Sequence, residues 1–237
     1  MLIAEEQAGG VWSCSGEDLS EPARRVFGTA PTVNMVIAEG WNPLGGGCLS
    51  HHLGSGERRA AVVCWSGTLA AGLFERDLAT WGPEGWRAML ECAAGLAREA
   101  EELGVSVLVR PHARHVLSDV QRCVRFIEEF KGMRVGLALD PCALLEASML
   151  ERASDHLERA MGSLGGVCSA VMLTNVAVSP GGGSEEDLEL APAAAHLGVV
   201  DAGALGGLVG RYVPRNTPVA IPGGDTGAAI AALGLGR

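Results

Sequence analysis

From residue 60 onward the chain alternates unbroken apolar runs with amphipathic stretches of helical period, and this alternation constrains the fold more than any other feature. Residues 60–67 read as a buried strand ending at a glycine, and 86–103 as a long helix closed by Gly104 as its C-cap. Residues 105–109 form a second strand before Arg110-Pro111-His112. A helix is expected over 119–131 with Ser118 as N-cap, and a third strand over 135–139 before Asp140-Pro141. Residues 143–164 read as helix, 167–178 as holding a fourth strand, 202–213 as a short helix and 218–221 as a last short strand. Strands that are apolar on both faces, separated by helices, predict a parallel sheet covered by helices. In such folds functional side chains lie just past the C-terminal ends of the strands.

The N-terminal third is less regular. Residues 32–38 read as a strand, 10–14 as a second candidate, and the glycine-rich stretch 43–56 as a loop. A strand with its crossover helix takes roughly 30 residues. One such unit fits before Thr32, not two. With 237 residues the chain is also a little short for a (β/α)₈ barrel, which typically needs ~250. The expectation is one domain over 1–237, an α/β barrel trimmed at its N-terminus. A missing strand would leave an unpaired edge. The N-terminal segment, or a second chain in a homo- or hetero-oligomer, is expected to cover that seam.

Composition removes several function classes. No apolar run approaches the ~20 residues of a membrane helix. The start, Met1-Leu2-Ile3-Ala4-Glu5-Glu6, lacks a basic leader region. Net charge is −10, with the acids spread along the chain, so neither nucleic acid nor an anionic membrane is the expected partner. Lys131 is the sole lysine among 18 basic residues and lies in a polar helix end, which disfavours Schiff-base chemistry. The 7 cysteines are dispersed, without a C-x-x-C pair, and read as free buried thiols of a cytoplasmic protein.

The strand ends carry an ordered set of motifs: V-L-V-R-P-H at 107–112, G-L-A-L-D-P at 136–141, V-M-L-T-N-V at 171–176, L-G-V-V-D at 197–201 and V-A-I-P at 219–222. In this order they resemble the xylose-isomerase-like TIM barrels of the sugar phosphate isomerase/epimerase superfamily. That resemblance implies a divalent metal held by Glu, Asp, His and Glu at four strand ends, with the two glutamates moving a proton between neighbouring carbons. Carried over by position, the first Glu falls on Arg110, the Asp is kept as Asp140, the His falls on Met172 and the last Glu on Pro222. The accompanying His and Asp fall on Ala143 and Asn175. A guanidinium at the first ligand position adds positive charge where the ion would sit. The expectation is no metal and no cofactor.

Arg110 and His112, two apart at a strand end, should both point into the barrel mouth, where Arg110 can pair with Asp140. Three readings follow. The leading one is a divergent isomerase/epimerase-like barrel with a dismantled metal site, acting as a non-catalytic binding or partner protein. The second is a metal-independent isomerase, epimerase or lyase using Arg110, His112 and Asp140 on a small anionic or carbonyl substrate. The third is a conventional metal-dependent sugar isomerase. A small sugar-like or anionic molecule is the expected ligand in each. Trp65, Asn175, Gly223 and Gly224 are candidate ligand contacts: Trp65 as a stacking platform or core filler, the glycine pair as a phosphate cradle ahead of Asp225-Thr226. Gly181-Gly182-Gly183, followed by acids, reads as a loop. His51, His52, His115, His156 and His196 carry less weight.

Overall fold

A computed structural model describes residues 1–7, 11–29, 32–53, 60–180 and 188–235. Nine strands form one sheet. They are β1 (Leu2–Ile3), β2 (Glu5–Gln7), β3 (Val11–Ser15), β4 (Thr32–Ile37), β5 (Ala60–Trp65), β6 (Ser106–Arg110), β7 (Val135–Leu139), β8 (Ala170–Met172) and the last barrel strand, Pro218–Ala220. Between β8 and that strand lies a hairpin of β9 (Thr174–Pro180) and β10 (Leu188–Ala194), which makes Pro218–Ala220 β11. The order is β1-β11-β8-β7-β6-β5-β4-β3-β2.

The two ends of this order belong to one chain segment. Leu2 and Ile3 pair in parallel with Pro218 and Val219, and Glu5 to Gln7 pair antiparallel with residues 11–13. The backbone N–H of Ala4 donates to Val219 O at 2.7 Å. The N-terminal strand is thus bonded to both edges of the sheet, which is nearly closed as a barrel. The seam expected from the sequence is covered from within the chain. The deficit in length is absorbed by β3, which returns antiparallel beside β4 where a parallel strand and its helix would have needed more residues.

Period-two alternation divides the strands between two cores. Inward go Ala61, Val63, Leu108, Ala138, Ala170, Met172 and Ala220, with Trp12, Val33 and Met35 from the antiparallel part. Outward go Val62, Cys64, Val107, Val109, Leu137, Leu139, Val171 and Val219, against the helices. These include α3 (Pro83–Leu103), α4 (Val120–Glu129), α5 (Ala153–Leu164), α6 (Ala202–Tyr212) and α7 (Thr226–Leu233); α1 spans Glu21–Phe27 and α2 Leu78–Trp81. Helix α1 does not join the outer layer. Its Ala23 and Val26 belong to the inner cluster, and its carbonyls are tied to the starts of strands: Ser106 Oγ donates to Val26 O at 2.6 Å and Ser169 Oγ to Pro22 O at 3.2 Å. It floors the barrel.

Several boundaries differ from the sequence reading. Helix α4 is capped by Asp119, whose side chain accepts from Arg122 N, and not by Ser118. Residues 143–164 are not one helix. Short 3₁₀ turns at Cys142–Leu144 and Ala147–Arg152 precede α5, because the Asp140 carboxylate takes the Ala143 N–H. The fourth strand breaks at Leu173, where β8 ends in the barrel and β9 leaves to pair with β10. Gly104 closes α3 with φ 68°, as its position after the last periodic residue predicts.

Candidate site at the barrel mouth

The inward alternation that fills the barrel ends, one layer higher, on Trp65, Arg110, Asp140 and Thr174, from β5, β6, the residue after β7 and the start of β9. Arg110 donates from Nε and Nη2 to Asp140 Oδ2, at 3.0 and 2.5 Å. Its Nη1 reaches Glu39 Oε1 at 3.5 Å. Thr174 Oγ1 donates to the same Asp140 Oδ2 at 2.8 Å, and Asp140 Oδ1 accepts from Ala143 N at 3.3 Å. The guanidinium lies over the Trp65 ring, 4.0 Å from its centroid, and Trp65 Nε1 donates to Glu39 O at 2.7 Å. Arg110 is 3% exposed and Asp140 0%, so the pair sits in a low-dielectric environment where unpaired charge is costly.

Beside it is an aromatic cluster. Trp65 meets Phe74, His112 and His115 edge-on at 5.3, 5.5 and 5.4 Å, and the two histidine rings are 4.8 Å apart. His112 Nδ1 accepts from Arg114 N at 3.1 Å, which leaves the proton on Nε2. Burial holds the His112 pKa well below the ordinary value, with the His115, Arg110 and Arg114 charges acting in the same sense. His115 is lowered to about 4, chiefly by burial and in part by Arg110, against a hydrogen bond to Leu73 O that raises it. Both imidazoles are neutral at pH 7.

A cleft opens above this layer. Trp65, Arg110, His112, Cys142, Ala143 and Thr174 form its floor and walls, and Leu188, Leu190 and Pro192 of β10 cover it. Its interior volume is about 20 Å³, room for a water-sized group. Arg76 and Arg114 stand at its rim, paired with Glu146 at 2.8 Å and Glu189 at 3.3 Å. The structure therefore brings together Arg110, His112, Asp140 and Trp65. The face of Trp65 is taken by Arg110.

Asn175, Gly223 and Gly224 lie elsewhere. Asn175 is fully buried. Its Nδ2 donates to Ala195 O and Val200 O, and its Oδ1 accepts from Val176 N and Val200 N, so the whole amide clamps the turn at 195–200. A Cβ on Gly198 would stand 2.1 Å from Asn175 Cγ, which requires glycine there. Gly223 and Gly224 have φ of 89° and 119° and border Ala194 and His196. Asp225 caps α7 through Ala228 N, placing a carboxylate at the amides a phosphate would need. His52 stacks on Trp41 at 4.3 Å, and His156 is half-buried on α5. Gly181, Gly182 and Gly183 lie outside the described residues.

The sequence reading missed Glu39, Thr174, Phe74, Arg76 and Arg114. Thr174 and Glu39 were accessible to it, since each lies two residues beyond an inward-facing position, Met172 and Ile37. Phe74, Arg76 and Arg114 come from loops, where no periodicity operates.

The donors present bear on the metal that the resemblance implies. The four ligand positions hold a guanidinium, one carboxylate already bonded to it, a thioether within the barrel core and a proline. Among the described residues no group of three or more His, Cys, Asp or Glu side chains is placed to hold an ion. The residues present do not fit a divalent cation.

No family model matches the chain, and no curated protein does. Solved structures do. A xylose isomerase domain protein from Planctomyces limnophilus is 15% identical over 74% of this chain and 56% of its own, with a TM-score of 0.44. A xylose isomerase-like TIM barrel protein from Mycobacterium smegmatis, in complex with magnesium, gives 12%, 73%, 57% and 0.42. The 3-keto-D-glucoside 4-epimerase from E. coli gives 17%, 74%, 63% and 0.43. By its own strand order and helices this chain is a nearly closed α/β barrel, and it spans about 56 to 63% of the lengths of those structures.

Proposed function

We propose that this protein is a divergent sugar isomerase/epimerase-like barrel whose metal position has been taken over by a buried ion pair, and that it binds a small molecule at the mouth without turning it over. One observation carries the reading: Arg110, 3% exposed, is bonded to Asp140 through two nitrogens and stacked on Trp65. Proton transfer between neighbouring carbons needs a base that can reach the substrate. The carboxylate in the layer, Asp140, receives hydrogen bonds from Arg110, Thr174 and Ala143 and has no exposed surface. Glu39, at the edge, is turned toward Arg110. His112 faces the cleft as an N–H donor. With its acceptor nitrogen occupied by Arg114 N–H, it can hold a ligand but is not placed to abstract a proton.

The test is solvent exchange. Incubation with a panel of ketoses and aldoses in D₂O, with and without Mn²⁺, is expected to leave every carbon-bound hydrogen unexchanged. Deuterium entering next to a carbonyl in a protein- and Mn²⁺-dependent way would overturn the proposal.

A further inference from the structure

The chemistry of the cleft names a ligand class. Its lining holds three guanidinium groups, Arg76, Arg110 and Arg114, paired in turn with Glu146, Asp140 and Glu189. At its floor, the capacity these pairs leave over is mainly donor capacity. Arg110 keeps N–H groups beyond the three bonds described above. His112, half-buried, has its Nδ1 filled, so Nε2–H is the group left for a ligand. Thr174 spends its proton on Asp140. The remaining walls are apolar: Leu145, Ala147 and, from the β10 cover, Leu188, Leu190 and Pro192.

We propose that the cleft binds the carboxylate of a small organic acid with an apolar body, the head group against Arg110 and His112 and the body along the β10 strand. This rests on the reading above, that the mouth binds and does not turn over. With Asp140 already committed to Arg110 and Thr174, the N–H groups left on Arg110 and His112 favour an anionic head over a neutral sugar, whose hydroxyls need both donors and acceptors. The enclosed space of about 20 Å³ takes no more than part of a head group, so the body lies outside it, where the leucine and proline walls favour an apolar chain over a hydrated one. His112 supports the assignment: half-buried between Arg110 and Arg114, it stays neutral and keeps its Nε2–H as a donor toward the cleft. The Arg114–Glu189 contact at 3.3 Å joins the rim to the hairpin, so a bound body orders the cover as well as the floor.

The probes are acetate, butyrate, hexanoate and inorganic phosphate, read by calorimetry and by melting shift at matched ionic strength. Hexanoate is expected to bind saturably, with affinity rising along the carboxylate series and phosphate weaker than hexanoate. His112→Phe keeps an aromatic ring against Trp65 and Phe74 but removes the donor, and is expected to weaken hexanoate about tenfold. Arg76→Ala, at a rim side chain 59% exposed, preserves the fold and is expected to weaken the whole series. Leu190→Ser is expected to flatten the dependence on chain length. No saturable binding of hexanoate, equal binding of phosphate, or affinity unchanged in both His112→Phe and Arg76→Ala would overturn the proposal. Its failure is separable from that of the functional reading. Metal-dependent exchange in a protein that still binds hexanoate sinks only the latter, and absent hexanoate binding without exchange sinks only the former.

Discussion

Arg110 is held where its charge would be costly if unmatched. Asp140, after β7, and Trp65, at the end of β5, match it directly, and Thr174 at the start of β9 holds Asp140 in place. Removing one partner of such a pair leaves a bare buried ion and typically costs about 3–5 kcal/mol. Arg110→Ala and Asp140→Ala should each destabilise by that amount in urea melts. The triple variant Arg110→Met/Asp140→Leu/Thr174→Val should recover most of it, since the guanidinium, carboxylate and hydroxyl go together and only the Ala143 N–H loses its acceptor. His115 supplies a pH signature. Its pKa is about 4 in the fold, against ~6.5 in an unfolded chain. Between those values the unfolded state binds the proton and the native state does not, so stability is complete above pH ~6.5 and falls as pH drops toward 4. The loss from this residue is on the order of 3 kcal/mol, and His112 adds in the same direction. Thermal melts across that window should show the fall, and His115→Phe should reduce it while retaining the stack on Phe74.

At the scale of elements, the barrel is closed by seven residues. Deleting 1–7 would strip the pairing from Pro218–Ala220 and from β3, exposing two edges. Size-exclusion chromatography of that variant should show self-association and its melting point should drop; an unchanged monomer would contradict the closure. The parallel strands β5 to β8, β11 and the long helix α3 were legible in the sequence because buried strands and amphipathic helices impose distinct periods. Other elements were not, and three of them show why. Helix α1 has seven residues and packs inside the barrel floor, so it carries no outer apolar stripe. Strand β10, L-E-L-A-P-A-A, is half exposed and holds a proline, which disguises a strand. Helix α7, T-G-A-A-I-A-A-L, is apolar nearly all round. The candidate site divides the same way. Arg110, His112, Asp140 and Trp65 followed from strand ends and alternation. Asn175 shares that context, and only the fold of the turn at 195–200 commits its amide to the backbone.

For the molecule as a whole, the layers separate stability from binding. The floor is α1, the middle is apolar, and the top is an ionic and aromatic plate under the β9–β10 hairpin. The plate joins side chains from β5, β6, β7 and β9, so it holds the mouth together as a metal with ligands from several strands would. The plate stands where the resemblance places a cation, and the direct measurement is a crystal soaked in Mn²⁺ with data collected at the manganese absorption edge. No anomalous peak is expected within bonding distance of Asp140, with Arg110 still on Asp140 Oδ2. A peak bonded to Asp140, with Arg110 swung away from Trp65, would contradict it.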